Sequence, residues 1–187
     1  MKRLPLILVA FAVLMACNNE KKNDDKTSEM KEEKKMTDNI SYPYKAGYSS
    51  DFSVGDANHS KLVLDLYKMW EDNKLDDMKT LLADSVSVDF PDGNKFSKNT
   101  SDSMIKMAKQ VRSTYSSVKV QFDGWMPVHS NDMKEDYVLV WSREYNTDKS
   151  GKIDSSRGHA YFQIKNNKIT SWSEFQQKLT PVKPMSK

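Results

Sequence analysis

The spacing of the apolar residues differs between the two halves of the domain, and this difference constrains the fold more than any other feature. Over residues 57–73 the apolar side chains recur every three or four positions, as on one face of a helix. From Val118 onward they alternate with polar side chains, as on a β-strand with one buried face. The sequence therefore predicts an α+β domain in which helices precede an antiparallel sheet.

Three helices are predicted in the first half of this domain. The first begins after Asp56, a residue type that caps helix N-termini, and is broken at Asn73-Lys74. A second, shorter helix carries Leu75, Met78, Leu81 and Leu82, and a third covers residues 101–115 with Met104, Ile105, Ala108, Val111 and Tyr115 on one stripe. Between them, residues 85–90 alternate and run into Pro91-Asp92-Gly93, which predicts a short strand and a turn.

Four further strands are predicted in the second half. They cover residues 118–122, 137–145, 157–164 and 168–177. Gly151 and Asn166-Asn167 mark the last two turns, because glycine and asparagine tolerate the backbone conformations that tight turns require. The pattern indicates an antiparallel meander.

Four stretches of this α+β order resemble the NTF2-like superfamily, in its SnoaL-like branch. They are LYKMWEDN at 66–73, FPDG at 90–93, YVLVW at 137–141 and FQIKNNKI at 162–169. The resemblance covers about residues 56–180 and implies an NTF2-like cone, with three N-terminal helices packed on a curved antiparallel sheet. It implies no single function, since the family includes isomerases, dehydratases, hydrolases and non-catalytic binders.

The register of the last two strands decides which side chains face the helices. Counting outward from Asn166-Asn167 pairs Phe162 with Ser171 and His159 with Glu174. The face expected to be concave then carries Val138, Val140, Ala160, Phe162, Ile164, Ile169 and Phe175. A change of register by one residue would reverse this assignment.

A ligand pocket is expected on the concave face. Its candidate residues are Tyr67, Trp70, Tyr115, Ser142, Glu144, Phe162, Ser173, Phe175 and Gln177. Mixed apolar and polar linings are typical of small-molecule pockets, but a half-filled cone has the same mixture in its ordinary core and rim.

Two classes of function follow from this pocket. Some cyclase- and isomerase-like members of the family carry a carboxylate base near the end of the final strand, where this chain has Gln176-Gln177. Glutamine cannot take a proton from carbon at neutral pH, which favours non-catalytic binding of a small apolar or amphipathic ligand, or of a protein partner. The alternative is a SnoaL-like enzyme that uses Glu144, or a His159 and Glu174 pair, as acid and base. Neither reading requires a cofactor.

An aromatic stripe is expected on the opposite, outer face of the sheet, from Trp141, Tyr161 and Trp172. It predicts a homodimer contact, or the seat of an aromatic strap at residues 40–55.

The N-terminus carries Lys2 and Arg3 before an apolar run that ends at Leu14-Met15-Ala16-Cys17. This arrangement resembles a bacterial lipobox, which implies that residues 1–16 form a signal peptide and that Cys17 receives the lipid. The apolar run is shorter than the ~20 residues that span a bilayer. A lipid-anchored protein of the cell envelope is therefore predicted, facing the periplasm or the cell surface. A conventional signal peptide with an incidental cysteine, or a short membrane anchor, are the alternatives.

The rest of the chain divides by composition. Residues 17–39 are rich in charge and poor in apolar side chains, as in a disordered tether; residues 56–181 form the domain and 182–187 a tail. Loss of Lys2 and Arg3 with the signal peptide lowers the formal net charge from +3 to +1, which argues against a nucleic-acid partner. His59, His129 and His159 are expected on a helix start, a loop and a strand, so no metal site is predicted.

Overall fold

The computed structural model describes residues 41–179 of the 187-residue chain. Within them lie β1 (Phe52–Val54), α1 (Ala57–Glu71), α2 (Leu75–Met78), a 3₁₀ turn (Lys79–Leu81), β2 (Leu82–Asp89), β3 (Lys95–Thr100), α3 (Ser101–Arg112), β4 (Tyr115–Ser130), β5 (Glu135–Asp148), β6 (Ile153–Lys165) and β7 (Lys168–Lys178). The signal peptide and Cys17, the tether, Ile40 of the strap and the tail lie outside the described residues.

The seven strands form one curved sheet in the order β1-β4-β5-β6-β7-β2-β3. Neighbouring strands are antiparallel except for β2 and β7, which run parallel. The core lies between the helices and one face of the sheet; it includes Val63 and Leu66 of α1, Met104 and Ile105 of α3, and Val138, Val140, Phe162 and Ile169 of the sheet. The predicted α+β class is confirmed.

The expectation of three N-terminal helices is wrong. The helices lie in the middle of the chain, β1 precedes them, and β2 and β3 separate the second from the third. α2 is a single turn that ends at Met78 and is followed by the 3₁₀ turn; Leu82, predicted on this helix, is instead the buried first residue of β2 and pairs with Ile169. None of the helices in residues 41–179 is long and apolar enough to cross a bilayer.

The ends of α1 follow the predicted signals. The Asp56 carboxylate accepts a hydrogen bond of 2.8 Å from the Asn58 backbone N–H, as an N-cap does. The helix ends at Glu71, and Asn73 takes a positive φ of 59°, which asparagine tolerates better than most residues. The predicted cap and break are both confirmed.

A buried arginine joins the ends of α1 and α3. Arg112 Nε donates to the Trp70 carbonyl (3.1 Å), Nη2 to the Glu71 carbonyl (3.3 Å) and Nη1 to the Tyr115 carbonyl (3.1 Å). The last turn of a helix leaves carbonyls without intrahelical partners, and the guanidinium supplies donors for two of them. It thereby fixes Trp70 relative to the start of β4.

The predicted register of β5 and β6 is confirmed, because Trp141 pairs with His159 and Leu139 with Tyr161. Gly151, in the turn between these strands, has a φ of 86°, which favours glycine. β4 is longer than predicted and reaches Ser130, so that His129 lies on a strand and not on a loop.

The predicted register of β6 and β7 is wrong by one residue beyond a β-bulge. Ile164 pairs with Ile169 as counted, but Gln163 pairs with Ser171, so Thr170 is an extra residue on β7. The Thr170 hydroxyl donates to the Gln163 carbonyl (3.2 Å), and the Ser171 hydroxyl donates to Gln163 Oε1 (3.2 Å). Past the bulge, Phe162 faces Trp172, and every later side chain of β7 lies on the face opposite to the predicted one.

The described part of the chain before α1 contacts β4 and β5. β1 pairs with the end of β4, with Phe52 opposite Ser130. The Tyr48 hydroxyl donates to the Glu135 carboxylate, and the Ser49 hydroxyl donates to Asp132 Oδ1 (2.6 Å). β1 therefore covers only the end of β4, at residues 128–130, on the edge that β5 does not pair.

Candidate functional site

A cavity of about 300 Å³ lies between the helices and the concave face of the sheet. It is lined from the helices by Leu66, Tyr67, Trp70, Met78, Met104, Met107, Ala108 and Val111, and from the strands and the end of β2 by Phe90, Tyr115, Glu144, Asn146, Phe162, Trp172, Glu174 and Gln176. The volume is at the lower end of the range of small-molecule pockets.

The aromatic walls are held by contacts between rings. Tyr67 meets Phe122 and Phe162 edge to face, with centroids 5.1 and 5.8 Å apart. Phe162 in turn stacks on Trp172 at 5.8 Å. Tyr67 also forms a hydrogen bond with Ser142, a buried residue of β5. The walls are therefore set by packing in the folded domain.

Two carboxylates face the cavity from different strands. Trp172 Nε1 donates to Glu174 Oε1 on β7 (2.8 Å), and Asn146 Nδ2 donates to Glu144 Oε2 on β5 (3.4 Å). Neither carboxylate forms a salt bridge with any basic side chain of residues 41–179. In the same part of the chain, no group of three or more His, Cys, Asp or Glu could hold a metal ion.

Burial makes both carboxylates harder to ionise. It raises the pKa of Glu174 to about 7, with a further contribution from the negative charge of Glu144, against the hydrogen bond from Trp172. It also raises the pKa of Glu144, against the hydrogen bond from Asn146. The pKa of Tyr67 lies well above its ordinary range, mainly because the hydroxyl is buried and also because Glu174 and Glu144 carry negative charge nearby. At neutral pH the cavity therefore contains a carboxyl group close to half-protonation.

Asn146 adds an acceptor beside Glu144. Its Oδ1 atom is buried and has no hydrogen-bond partner among the described residues, although its Nδ2 donates to Glu144. An unpaired buried acceptor costs about 1–3 kcal/mol, so a ligand that donates to it gains that energy.

The structure brings together part of the predicted ligand site. Tyr67, Trp70, Tyr115, Glu144 and Phe162 line the cavity. Ser142 is not among the lining residues but forms a hydrogen bond with Tyr67. These residues come from α1, β4, β5 and β6, which all precede the bulge in β7.

The three other predicted ligand residues lie on the opposite face, and the bulge is the reason. Ser173 pairs with Tyr161 and donates to Asp89 Oδ2 (3.4 Å). Phe175 is 58% exposed. Gln177 Oε1 accepts a hydrogen bond from Arg157 Nε (2.9 Å). The expectation that Ser173, Phe175 and Gln177 face the concave side is wrong.

The predicted pair of His159 and Glu174 is also wrong. His159 lies opposite Phe175 on the outer face, where its Nδ1 donates to the Val140 carbonyl (3.1 Å), while Glu174 lies in the cavity. Of the candidate catalytic residues, the structure therefore brings together Glu144 and Glu174 and leaves the imidazole on the far side of the sheet.

The outer face carries an aromatic cluster, but its residues differ from the predicted ones. Trp172, expected there, is only 5% exposed and lines the cavity. Phe175 takes its place, and the outer aromatic cluster consists of Trp141, His159, Phe175 and Tyr161. In this order, the centroids of successive rings are 5.2, 6.2 and 6.4 Å apart.

Sequence reasoning missed several lining residues. Asn146 could have been found, because it lies two positions after Glu144 on the same strand and so on the same face. Trp172, Glu174 and Gln176 depend on the bulge at Thr170, for which the alternation of β7 gives no signal.

Comparison with protein-family models gives no match, and comparison with curated proteins gives no significant match. Solved structures do match. An NTF2-like protein of Burkholderia pseudomallei superposes with a TM-score of 0.53 at 16% identity, over 65% of this chain and 92% of that chain. The described domain has an NTF2-like fold.

Two other solved structures place this NTF2-like domain among diverse proteins. An LEH-like epoxide hydrolase of M. tuberculosis gives a TM-score of 0.53 at 9% identity, over 64% of this chain and 82% of that one. A protein with a ketosteroid isomerase-like fold from Catenulispora acidiphila gives a TM-score of 0.51 at 12% identity, over 62% of this chain and 84% of that one. At these identities the likeness concerns the fold and carries no activity over to this chain.

Proposed function

We propose that the NTF2-like domain binds a small amphipathic molecule in the cavity between its helices and its sheet. The observation that carries this proposal is the composition of the cavity wall, which is mostly aromatic and aliphatic but contains Glu144, Glu174 and Asn146. Ligand sites combine an apolar lining, which buries the body of the ligand, with a few polar groups that orient it.

The electrostatics of the cavity support a binding role. Burying two carboxylates without a basic partner destabilises the folded state, and ordinary core positions avoid it. Perturbed carboxyl groups such as Glu144 and Glu174 cluster at functional sites, where their interaction with a ligand offsets the energy of burial.

A neutral fluorescent probe, N-phenyl-1-naphthylamine, tests the proposal. We expect its emission to rise on binding, and Trp70→Ala to abolish that rise because Trp70 lines the cavity. Trp141→Ala is the matched control, since it removes an indole from the outer face. Circular dichroism melts establish that both variants are folded. A probe that binds normally to the Trp70 variant, or that is lost from the Trp141 variant, would contradict the proposal.

A second candidate function is acid–base catalysis, and one observation favours it. Glu174 stands on the final strand and faces the cavity with a pKa of about 7, the range in which a general base is most effective at neutral pH. The argument that Gln176-Gln177 leaves this strand without a base therefore loses its force. For an enzyme, Glu174→Gln would lower turnover of a carbonyl substrate by roughly 10²–10⁴-fold in a protein that is still folded. For a binding domain, wild type and variant would both lack turnover.

The cellular setting is a proposal of its own. The sequence Leu14-Met15-Ala16-Cys17 after a cationic and apolar N-terminus supports a lipid on Cys17 and a place at the cell envelope. Cys17→Ala would then leave unprocessed precursor or a soluble product and would lose the label of a fatty-acid probe. Wild-type protein without fatty-acid label would contradict this proposal.

We propose that the partner of the outer aromatic cluster is a second copy of this chain, which would form a homodimer through this face of the sheet. Trp141, Tyr161 and Phe175 are each about two-fifths exposed or more, and large exposed rings grouped on one face are typical of contact surfaces.

A further inference from the structure

We propose that the ligand of the cavity is a cation, an organic ammonium group on an apolar body, which Glu144 and Glu174 recognise by charge and the aromatic walls recognise by their π-faces. This inference rests on the proposed binding function and adds the chemical class of the ligand.

The first argument is charge. The lining contains two carboxylates and, among the described residues, no lysine, arginine or histidine. The other titratable groups on the walls are the hydroxyls of Tyr67 on α1 and Tyr115 on β4, and α2 and α3 contribute only apolar side chains. An ammonium ion is therefore the group that offsets the negative charge, whereas an anion would be repelled.

The second argument is hydrogen bonding. The donors that lie beside the two carboxylates are already used, since Trp172 Nε1 donates to Glu174 and Asn146 Nδ2 donates to Glu144. Beside them, acceptors remain open, namely the second oxygens of the carboxylates and the buried Oδ1 atom of Asn146. An ammonium group with N–H bonds supplies donors and no acceptor, which complements this set.

The third argument is the aromatic wall. Six rings line the cavity: those of Tyr67, Trp70, Phe90, Tyr115, Phe162 and Trp172. The face of an aromatic ring attracts a cation within about 6 Å of its centroid, and more strongly where water is excluded. A neutral ligand of the same shape gains the apolar contact but not this attraction.

A set of three probes of nearly equal size tests the inference: 2-phenylethylamine, 2-phenylethanol and phenylacetate. They differ in charge, which is positive, zero and negative at neutral pH. We expect isothermal titration calorimetry at pH 8 to show that affinity decreases from the amine to the alcohol to the carboxylate. The amine should bind at least tenfold more tightly than the alcohol.

The pH dependence sharpens the test. Because Glu174 ionises near pH 7, a cation that binds its charged form releases protons on binding. We expect the affinity for the amine to fall up to tenfold between pH 8 and pH 6, while the affinity for the alcohol stays level or rises. An amine affinity that rises on acidification would overturn the inference.

Three variants assign the effect to the cavity. Glu144→Gln and Glu174→Gln keep the shape of the side chains and remove one charge each, so the amine should lose most of its advantage over the alcohol. Asp84→Asn is the matched control, because it removes one charge from an exposed position on β2 and should leave the preference unchanged.

The failures of the two proposals are distinguishable. If the alcohol binds as tightly as the amine, and both are lost in Trp70→Ala, the cavity binds ligands but the cationic class is wrong. If the three probes and the neutral dye all fail to bind wild-type protein, the binding function itself is wrong. A preference for the amine that persists in both glutamine variants would place the cation away from the two carboxylates and overturn the inference.

Discussion

Replacing Glu174 with glutamine should stabilise the domain at alkaline pH and flatten the pH dependence of its stability. The pKa of Glu174 rises from an ordinary value of 4.5 to about 7 in the folded protein. The folded state therefore holds the proton more tightly than the unfolded chain does. Below about pH 4.5, Glu174 is protonated in both states and does not affect the free energy of unfolding. As the pH rises from about 4.5 to about 7, its ionisation lowers that free energy progressively, and above about pH 7 the loss is complete.

The size of the effect follows from the difference between these two pKa values. Each tenfold change in the ionisation equilibrium corresponds to about 1.4 kcal/mol, so ionising Glu174 costs about 3 kcal/mol more in the folded than in the unfolded state. Solvent that enters the cavity screens part of this, which leaves about 2 kcal/mol. For a domain of this size, about 2 kcal/mol corresponds to a melting temperature roughly 8 °C higher for the variant at pH 8.

Urea denaturation at pH 5, 6, 7 and 8 measures the free energy of unfolding directly. We expect the wild type to lose about 2 kcal/mol more than Glu174→Gln does across this range. Glutamine keeps an oxygen that can accept from Trp172 Nε1, so the comparison isolates the charge. Asp84→Asn, an exposed change of the same charge, should follow the wild type. Equal pH dependence in Glu174→Gln and the wild type would refute the argument that Glu174 is buried in the cavity with a raised pKa.

Three further predictions concern the groups that shape the site. Arg112→Met should lower the free energy of unfolding by about 3 kcal/mol in urea denaturation, since three carbonyls, that of Trp70 among them, lose a charged donor; a loss below 1 kcal/mol would contradict it. Thr170→Val should cost about 1 kcal/mol by the same measurement, because the hydroxyl no longer donates to the Gln163 carbonyl, and unchanged stability would show that the bulge does not need it. Phe175→Ser should weaken self-association in sedimentation velocity without lowering the melting temperature, whereas a protein that is monomeric before and after the change would exclude the proposed contact.

Much of the fold could be predicted because local signals and burial agree along most of the chain. Asp56 and Asn73 mark the ends of α1, and the alternation of β5 and β6 places Val138, Val140 and Phe162 on the buried face. Gly151 and Asn166-Asn167 fix the two hairpin turns through their positive φ values. Each of these signals acts within a few residues, which is the range over which a single sequence is informative.

The elements that could not be predicted depend on contacts between distant parts of the chain. β3 has five exposed residues out of six and no apolar alternation; its strand conformation comes from pairing with β2. The second predicted helix loses Leu82 to β2, where this side chain is buried and pairs with Ile169, a residue 87 positions away. The role of Arg112 is similar, because its three acceptors belong to residues up to 42 positions away.

The candidate site shows how one residue can decide the chemistry of a strand. Without the extra residue at Thr170, Phe175 would face the cavity and Glu174 would face solvent beside His159, as a regular hairpin predicts. With it, Trp172 and Glu174, both expected on the outer face, become part of the cavity wall, while His159 stays on the outer face. The bulge is stabilised by the hydroxyls of Thr170 and Ser171, which both donate to Gln163 over 3.2 Å. These contacts give no periodic signal in the sequence. The charge of the cavity, and with it the ligand class proposed above, therefore rests on the geometry at Thr170 more than on the composition of the strand.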